Sequence, residues 1–256
     1  MQKTACYEQP LNERIRLLLR LEFLFQQITQ TAAGHSSWDS RMALQGLCEI
    51  LNLTGRNELK SELLKELDRH ATFLNRLRTT PGVDSGMLDH ILGEIEQAAG
   101  HIHNQHSLAL EETRQNDFLS AFCQRNGMAS STCPFDLPIL HHWLQQDSAL
   151  RARHIEGWLK PFGPMQGAVE LILKLVRDSA VAREETAVKG FFQRVLDSSA
   201  PNQMVRVVLP KEGGVFPEIS GGKQRFSIRF MEQPDPHKRA AQTALDIPFR
   251  LVCCII

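Results

Sequence analysis

The sequence predicts an α+β protein: a predominantly helical domain over residues 10–184, then a small, mainly antiparallel β-sheet domain over residues 185–256. Three observations carry this. Leucines recur at helical spacing early in the chain, as in Leu59, Leu63, Leu67, Leu74 and Leu77. Past about Glu185 the period becomes alternating, as in Phe226, Ile228 and Phe230. Helical runs precede strand runs, without the alternation of strand and helix that signals a parallel sheet.

Taken in order, Thr4–Glu8 is read as a strand pairing with the late ones, so that residues 3–9 join the sheet domain. Asn12 is a suitable N-cap for a helix running to about Thr31. Between Leu17 and Phe25 only Arg20 and Glu22 interrupt its apolar residues, the pattern of a central helix or one covered by a partner. Asn57 opens a second long helix, stopped by Pro81-Gly82. Asp84 to about His101 and Leu110 to about Arg125 give two more, with a polar, His-rich joint between them. Asp136 is expected to cap another, with Pro138 in its first turn, where a missing N–H costs little. Met165, Ala168, Val169, Ile172, Leu175 and Val176 mark a final amphipathic helix. Strands are predicted at Thr186–Val195, Met204–Leu209, Gln224–Phe230 and Asp246–Cys254, punctuated by Asn202, Gly213-Gly214 and Gly221-Gly222. Pro234–Gln242, polar and carrying two prolines, reads as a mobile loop.

Composition narrows the function. Lys+Arg and Asp+Glu are balanced at 29 each over 256 residues, which argues against a protein that mainly coats DNA or an anionic membrane. The six cysteines form no Cys-x-x-Cys pair. Cys6, Cys48 and Cys123 sit among partly apolar neighbours and read as reduced, packed thiols, while adjacent Cys253 and Cys254 suit the end of a buried strand. No signal-peptide pattern is visible and nothing approaches the ~20 apolar residues of a membrane span. A cytoplasmic protein without membrane insertion is expected.

Ser220–Phe230 is the most informative segment. On a strand, Phe226, Ile228 and Phe230 point to one face and Arg225, Ser227 and Arg229 to the other. Two guanidinium groups then lie roughly 13 Å apart on one strand face, with Lys223 just before them. Gly221 and Gly222 offer the backbone freedom of a turn that aims this ladder outward. Such a face suits carboxylates, phosphates or an acidic peptide. An ordinary solvated strand would carry the same charges, and a nucleic-acid-binding regulator would use them on phosphates, against the balanced net charge.

Other candidates fail on chemistry. His101, His103 and His106 lack the further converging ligands that a zinc site needs, and His141 and His142 diverge by about 100° on a helix. Gly221-Gly222-Lys223 is not a phosphate loop: Pro217 stands where the first glycine belongs, and Gln224 where the hydroxyl belongs. No nucleophile elbow is present. No enzyme activity, metal or cofactor is expected.

Ser220–Phe230 resembles the C-terminal signature of the ZapD family, bacterial division proteins that bind and cross-link filaments of tubulin-like FtsZ. Pro10-Leu11-Asn12-Glu13, Leu21-Glu22-Phe23-Leu24, Gln26-Gln27, Glu62–Arg69, Pro81–Asp84 and Phe135–Pro138 are similar to the same family, in the same order, across nearly the whole chain. The resemblance implies a homodimer at the midcell division site that takes the FtsZ C-terminal tail in a basic pocket. Arg225 and Arg229 match that pocket residue for residue, and Lys223 also fits. The family's third basic position falls on Asp117, a departure; Arg114, three residues earlier, is expected to bring charge to the same helix face.

Overall fold

The computed structural model describes residues 3–54, 58–105, 107–128, 131–197, 199–222 and 224–256, and its fold is α+β. The chain divides into two compact units: Leu19–Ile172, and Met1–Leu18 with Leu173–Ile256.

The helical unit is built from helices that polar side chains start. Asn12 Oδ1 accepts from the Ile15 amide at 2.9 Å and opens α1 (Glu13–Ala32). Next comes α2 (Ser37–Thr54), which the apolar period did not announce. Its signal was the reciprocal cap: the Ser36 amide donates to Asp39 Oδ2 at 3.0 Å, and the Asp39 amide to Ser36 Oγ at 3.1 Å. The Ser36 hydroxyl also donates to that carboxyl and holds it below the usual aspartate range. Ala43, Leu44, Leu47 and Ile50 are its buried face.

In α3 (Glu58–Arg76), Leu59, Leu63, Leu67 and Leu74 are buried as their spacing predicts; Asn57, the expected first residue, lies outside the described residues. Asp84 caps α4 (Ser85–His103), accepting from the Met87 amide at 3.0 Å. The single helix expected over Leu110–Arg125 is two, α5 (Ser107–Arg114) and α6 (Asp117–Asn126). Asn116 divides them, its side chain accepting from the Leu119 amide at 3.0 Å to cap α6. Asp136 does not cap α7 (Pro138–Leu144): the N-cap is Leu137, without a side-chain bond. Asp147 caps the unforeseen α8 (Ser148–Leu159) through the Ala149 amide at 2.8 Å. The amphipathic stretch from Met165 forms α9 (Gly163–Asp178).

Two long-range ties hold α2 in place. Cys48 on α2 and Cys123 on α6 are not reduced thiols but a disulfide across 75 residues, which restricts the unfolded chain by about 4 kcal/mol in the chain-entropy account. Arg151 of α8, 5% exposed, donates to Ser40 Oγ at 2.9 Å, to the His35 carbonyl at 2.9 Å, to the Leu144 carbonyl at 3.1 Å and to the Gln146 carbonyl.

The β unit holds two antiparallel sheets rather than one. The first has the order β1 (Thr4–Pro10), β4 (Asn202–Pro210), β8 (Ile247–Ile255), β2 (Arg183–Ala187). The N-terminal strand pairs as expected, Thr4 opposite Pro210 and Pro10 opposite Met204. Glu8 on β1 anchors two cations, Arg177 at 2.8 Å and Arg206 at 2.9 Å. The second sheet has the order β3 (Phe191–Val195), β6 (Arg225–Glu232), β5 (Val215–Gly221), with β7 (Ala241–Gln242) also on β6. The one strand expected over Thr186–Val195 is therefore two, in different sheets. The break is the turn at Lys189 (φ 49°) and Gly190 (φ 68°). A Cβ on Gly190 would lie 2.6 Å from the Thr243 carbonyl oxygen, so only glycine fits. The sequence does not signal strand β5 because Pro217 interrupts it; as an edge strand it tolerates the missing N–H.

Phe226, Ile228 and Phe230 of β6 are 1%, 0% and 0% exposed, so their alternation gave the correct core face. The Phe230 and Phe249 rings are 5.0 Å apart, and Phe192 meets Phe249 edge-on at 5.2 Å.

Cys254, fully buried on β8, carries a pH prediction. Burial pushes its thiol from 9.0 up to about 12. The unfolded chain thus releases this proton first. The resulting stability is complete below about pH 9 and is lost as pH rises toward 12. Urea midpoints at about pH 8.5 and 10 should show Cys254→Val losing about 1 kcal/mol less than wild type over that step. An equal loss in both would contradict the assignment.

Candidate functional site

Strand β6 is the middle of its sheet, so pairing on both sides fixes its outer face. Residue by residue, Arg229 stands between Phe191 of β3 and Glu218 of β5, and Ser227 between Gln193 and Ser220. Arg225 stands opposite Val195 on one side, while on the other the Gly222 amide donates to its carbonyl at 3.1 Å. These side chains share one face because every second residue of each strand points into the core. Arg225, Ser227, Arg229, Phe191, Gln193 and Ser220 border a groove of about 650 Å³, and Val195 and Glu218 lie outside its lining.

Both arginines are exposed, and neither has an acceptor among the described residues. Three other arginines of this unit are committed to carboxylates. Arg194 pairs with Glu185 at 2.5 Å, and Arg177 and Arg206 with Glu8. Two guanidinium groups carried by residues roughly 13 Å apart along the strand backbone, neither with an acceptor among the described residues, are a ready receptor for carboxylates. Phe191 and Val195, 40% and 74% exposed, add apolar surface to the same face. The sequence alone did not place these two, Gln193 or Glu218 there, because cross-strand neighbours depend on register, and β5 was missed.

β5 and β6 form the hairpin expected at Gly221 and Gly222, but not through the φ freedom expected of those glycines. Neither has a left-handed backbone. Gly221 lies within β5, where a Cβ would come within 2.9 Å of Leu11. The glycine eases this close approach, and φ freedom plays no part.

The remaining expected site residues are placed as follows. Lys223 lies outside the described residues. Arg114 belongs to the helical unit: it closes α5, donates to the Thr54 carbonyl and sits 3.8 Å from Glu111. Asp117 begins the next helix, so the two do not share a helix face as their spacing suggested. His101 borders a groove of about 830 Å³ with Gln105 and Pro161, whereas His103 borders another, of about 620 Å³; His106 lies outside the described residues. Among the described residues, no group of three His, Cys, Asp or Glu side chains could hold a metal ion. Trp143 is buried and its indole N–H donates to His154 Nδ1 at 3.1 Å. Among the described residues no helix is long and apolar enough to cross a membrane.

Fold and face together define an α+β protein whose sheet presents an open cationic groove. Comparison with known proteins makes the assignment specific. The family model described as the cell division protein ZapD matches residues 19–229. The chain is 41% identical over 256 residues to the ZapD protein of Methylococcus capsulatus, covering 100% of both chains. It is 37% identical over 249 residues to that of Nitrosomonas europaea (97% of this chain, 94% of the relative), and 34% identical over 254 residues to that of Coxiella burnetii (99% and 98%). The chain belongs to the ZapD family of cell division proteins.

Proposed function

We propose that this chain is a non-enzymatic division factor that binds the C-terminal tail of FtsZ on the β6 face and cross-links FtsZ filaments, promoting Z-ring assembly at midcell. The observation that carries the reading is the pair of exposed, uncommitted arginines, Arg225 and Arg229, on the central strand of a sheet in a ZapD-family chain. Lys223 adds charge in sequence beside them.

An extended tail loses conformational entropy on binding, so one site is expected to hold it with micromolar affinity, on the order of 10 μM. A homodimer presents two such sites. Many tails on one filament then raise the avidity without any new contact, and the two sites bridge neighbouring filaments. The proposed compartment is the cytoplasm, whose thiol reductants act on the Cys48–Cys123 disulfide, so that tie belongs to the oxidised protein.

Fluorescence anisotropy with a labelled FtsZ tail peptide tests the reading. The dissociation constant should rise at least about tenfold between about 0.05 and 0.5 M salt, since exposed charge pairs are screened. Absence of binding at the lower salt would sink the proposal.

A further inference from the structure

We infer that the tail-binding face has a direction: it seats a peptide carboxylate at Arg225 beside Val195, and leaves the Arg229 end, balanced by Glu218, to an uncharged or basic residue lying against Phe191. This deepens the tail-binding reading and rests on it.

The register carries the argument. Arg229 is paired directly across from Glu218. Side chains so placed have Cβ atoms about 5 Å apart, inside the ~8 Å screening length. Glu218 is exposed on the same face and forms no ion pair with Arg229 among the described residues. Its charge nonetheless offsets the field that Arg229 presents to an incoming anion. Among the described residues, no acid is paired directly across from Arg225: its cross-strand partner is Val195. Asp197, two residues beyond the end of β3, keeps its charge through bonds from the Ser199 amide at 2.8 Å and hydroxyl at 2.6 Å, but it is not paired across from Arg225 as Glu218 is from Arg229. Two identical side chains on one strand therefore differ in what they attract.

The apolar groups sharpen this. Val195 is 74% exposed beside an unspent guanidinium. An apolar peptide residue next to the docked acid would cover it. Between the two arginines, Gln193, Ser227 and Ser220 offer amide and hydroxyl groups but no charge. The partner that fits is an extended segment with an acid at one end, apolar residues along its length and no acid where it meets Glu218.

The test is anisotropy with the labelled FtsZ tail peptide at low salt, using variants whose circular dichroism matches wild type. Arg225→Ala should weaken binding about tenfold and Arg229→Ala about threefold or less. Glu218→Gln should tighten binding about twofold to threefold and raise the Arg229→Ala penalty toward that of Arg225→Ala. Val195→Ser should weaken binding several-fold without changing the salt dependence. Equal losses from the two arginine variants, or no tightening by Glu218→Gln, would overturn the direction while leaving tail binding at this face intact. Wild-type binding that neither arginine variant weakens would overturn both readings.

Discussion

Arg151→Met is expected to lower the stability of the helical unit by about 3–5 kcal/mol. The methionine matches the arginine stem but makes none of its bonds. Ser40 Oγ and the carbonyls of His35, Leu144 and Gln146 would all lose their donor inside the protein. Buried polar groups left unpaired cost far more than the net worth of the bonds they made. The change also unties three places at once: the entry to α2, the end of α7 and α8 itself. Arg151→Lys should recover little, because one ammonium cannot reproduce a planar fork with several donors. Urea denaturation followed by circular dichroism measures the loss. A loss below about 1 kcal/mol would show that water or repacking satisfies these groups.

Arg225→Glu combined with Arg229→Glu is expected to abolish FtsZ binding while leaving the fold intact. Both side chains are exposed and have no ion-pair partner among the described residues, so none is lost there. Surface substitutions of this kind usually change stability by less than about 0.5 kcal/mol. For the ligand, the attraction at Arg225 and the weaker one at Arg229 become repulsion, which Glu218 reinforces. Single-site affinity should fall at least about a hundredfold, since each reversed contact costs more than its removal. Filament bundling should vanish with it, because avidity multiplies only the binding that each site retains. The double variant should still unfold at the wild-type urea midpoint, which separates a lost site from a lost fold.

The core face of β6 could be read from Phe226, Ile228 and Phe230 because a half-buried strand writes its period directly into the chain. The leucine stripe of α3 was legible for the same reason. Other features lay beyond periodicity. Strand β5 contains Pro217, which argues against a strand unless its edge position is known. One run, Thr186–Val195, bends at Lys189-Gly190 and serves two sheets. Cys48 and Cys123 meet only through the packing of α2 on α6. Short polar caps, Ser36 with Asp39 and Asn116 with Leu119, decided helix boundaries that apolar spacing left open. The site followed the same rule. Arg225 and Arg229 alternate within one segment and could be found there. Their neighbours Phe191, Val195 and Glu218 come from other strands, and only the register brings them to the face.

The most direct test of the central claim is co-sedimentation with GTP-polymerised FtsZ, comparing intact FtsZ with FtsZ lacking its C-terminal tail. The account predicts that this protein pellets with intact filaments, not with tail-deleted ones, and that the Arg225→Glu/Arg229→Glu variant stays in the supernatant with both. Equal pelleting of wild type with tail-deleted filaments, or of the double variant with intact ones, would contradict it.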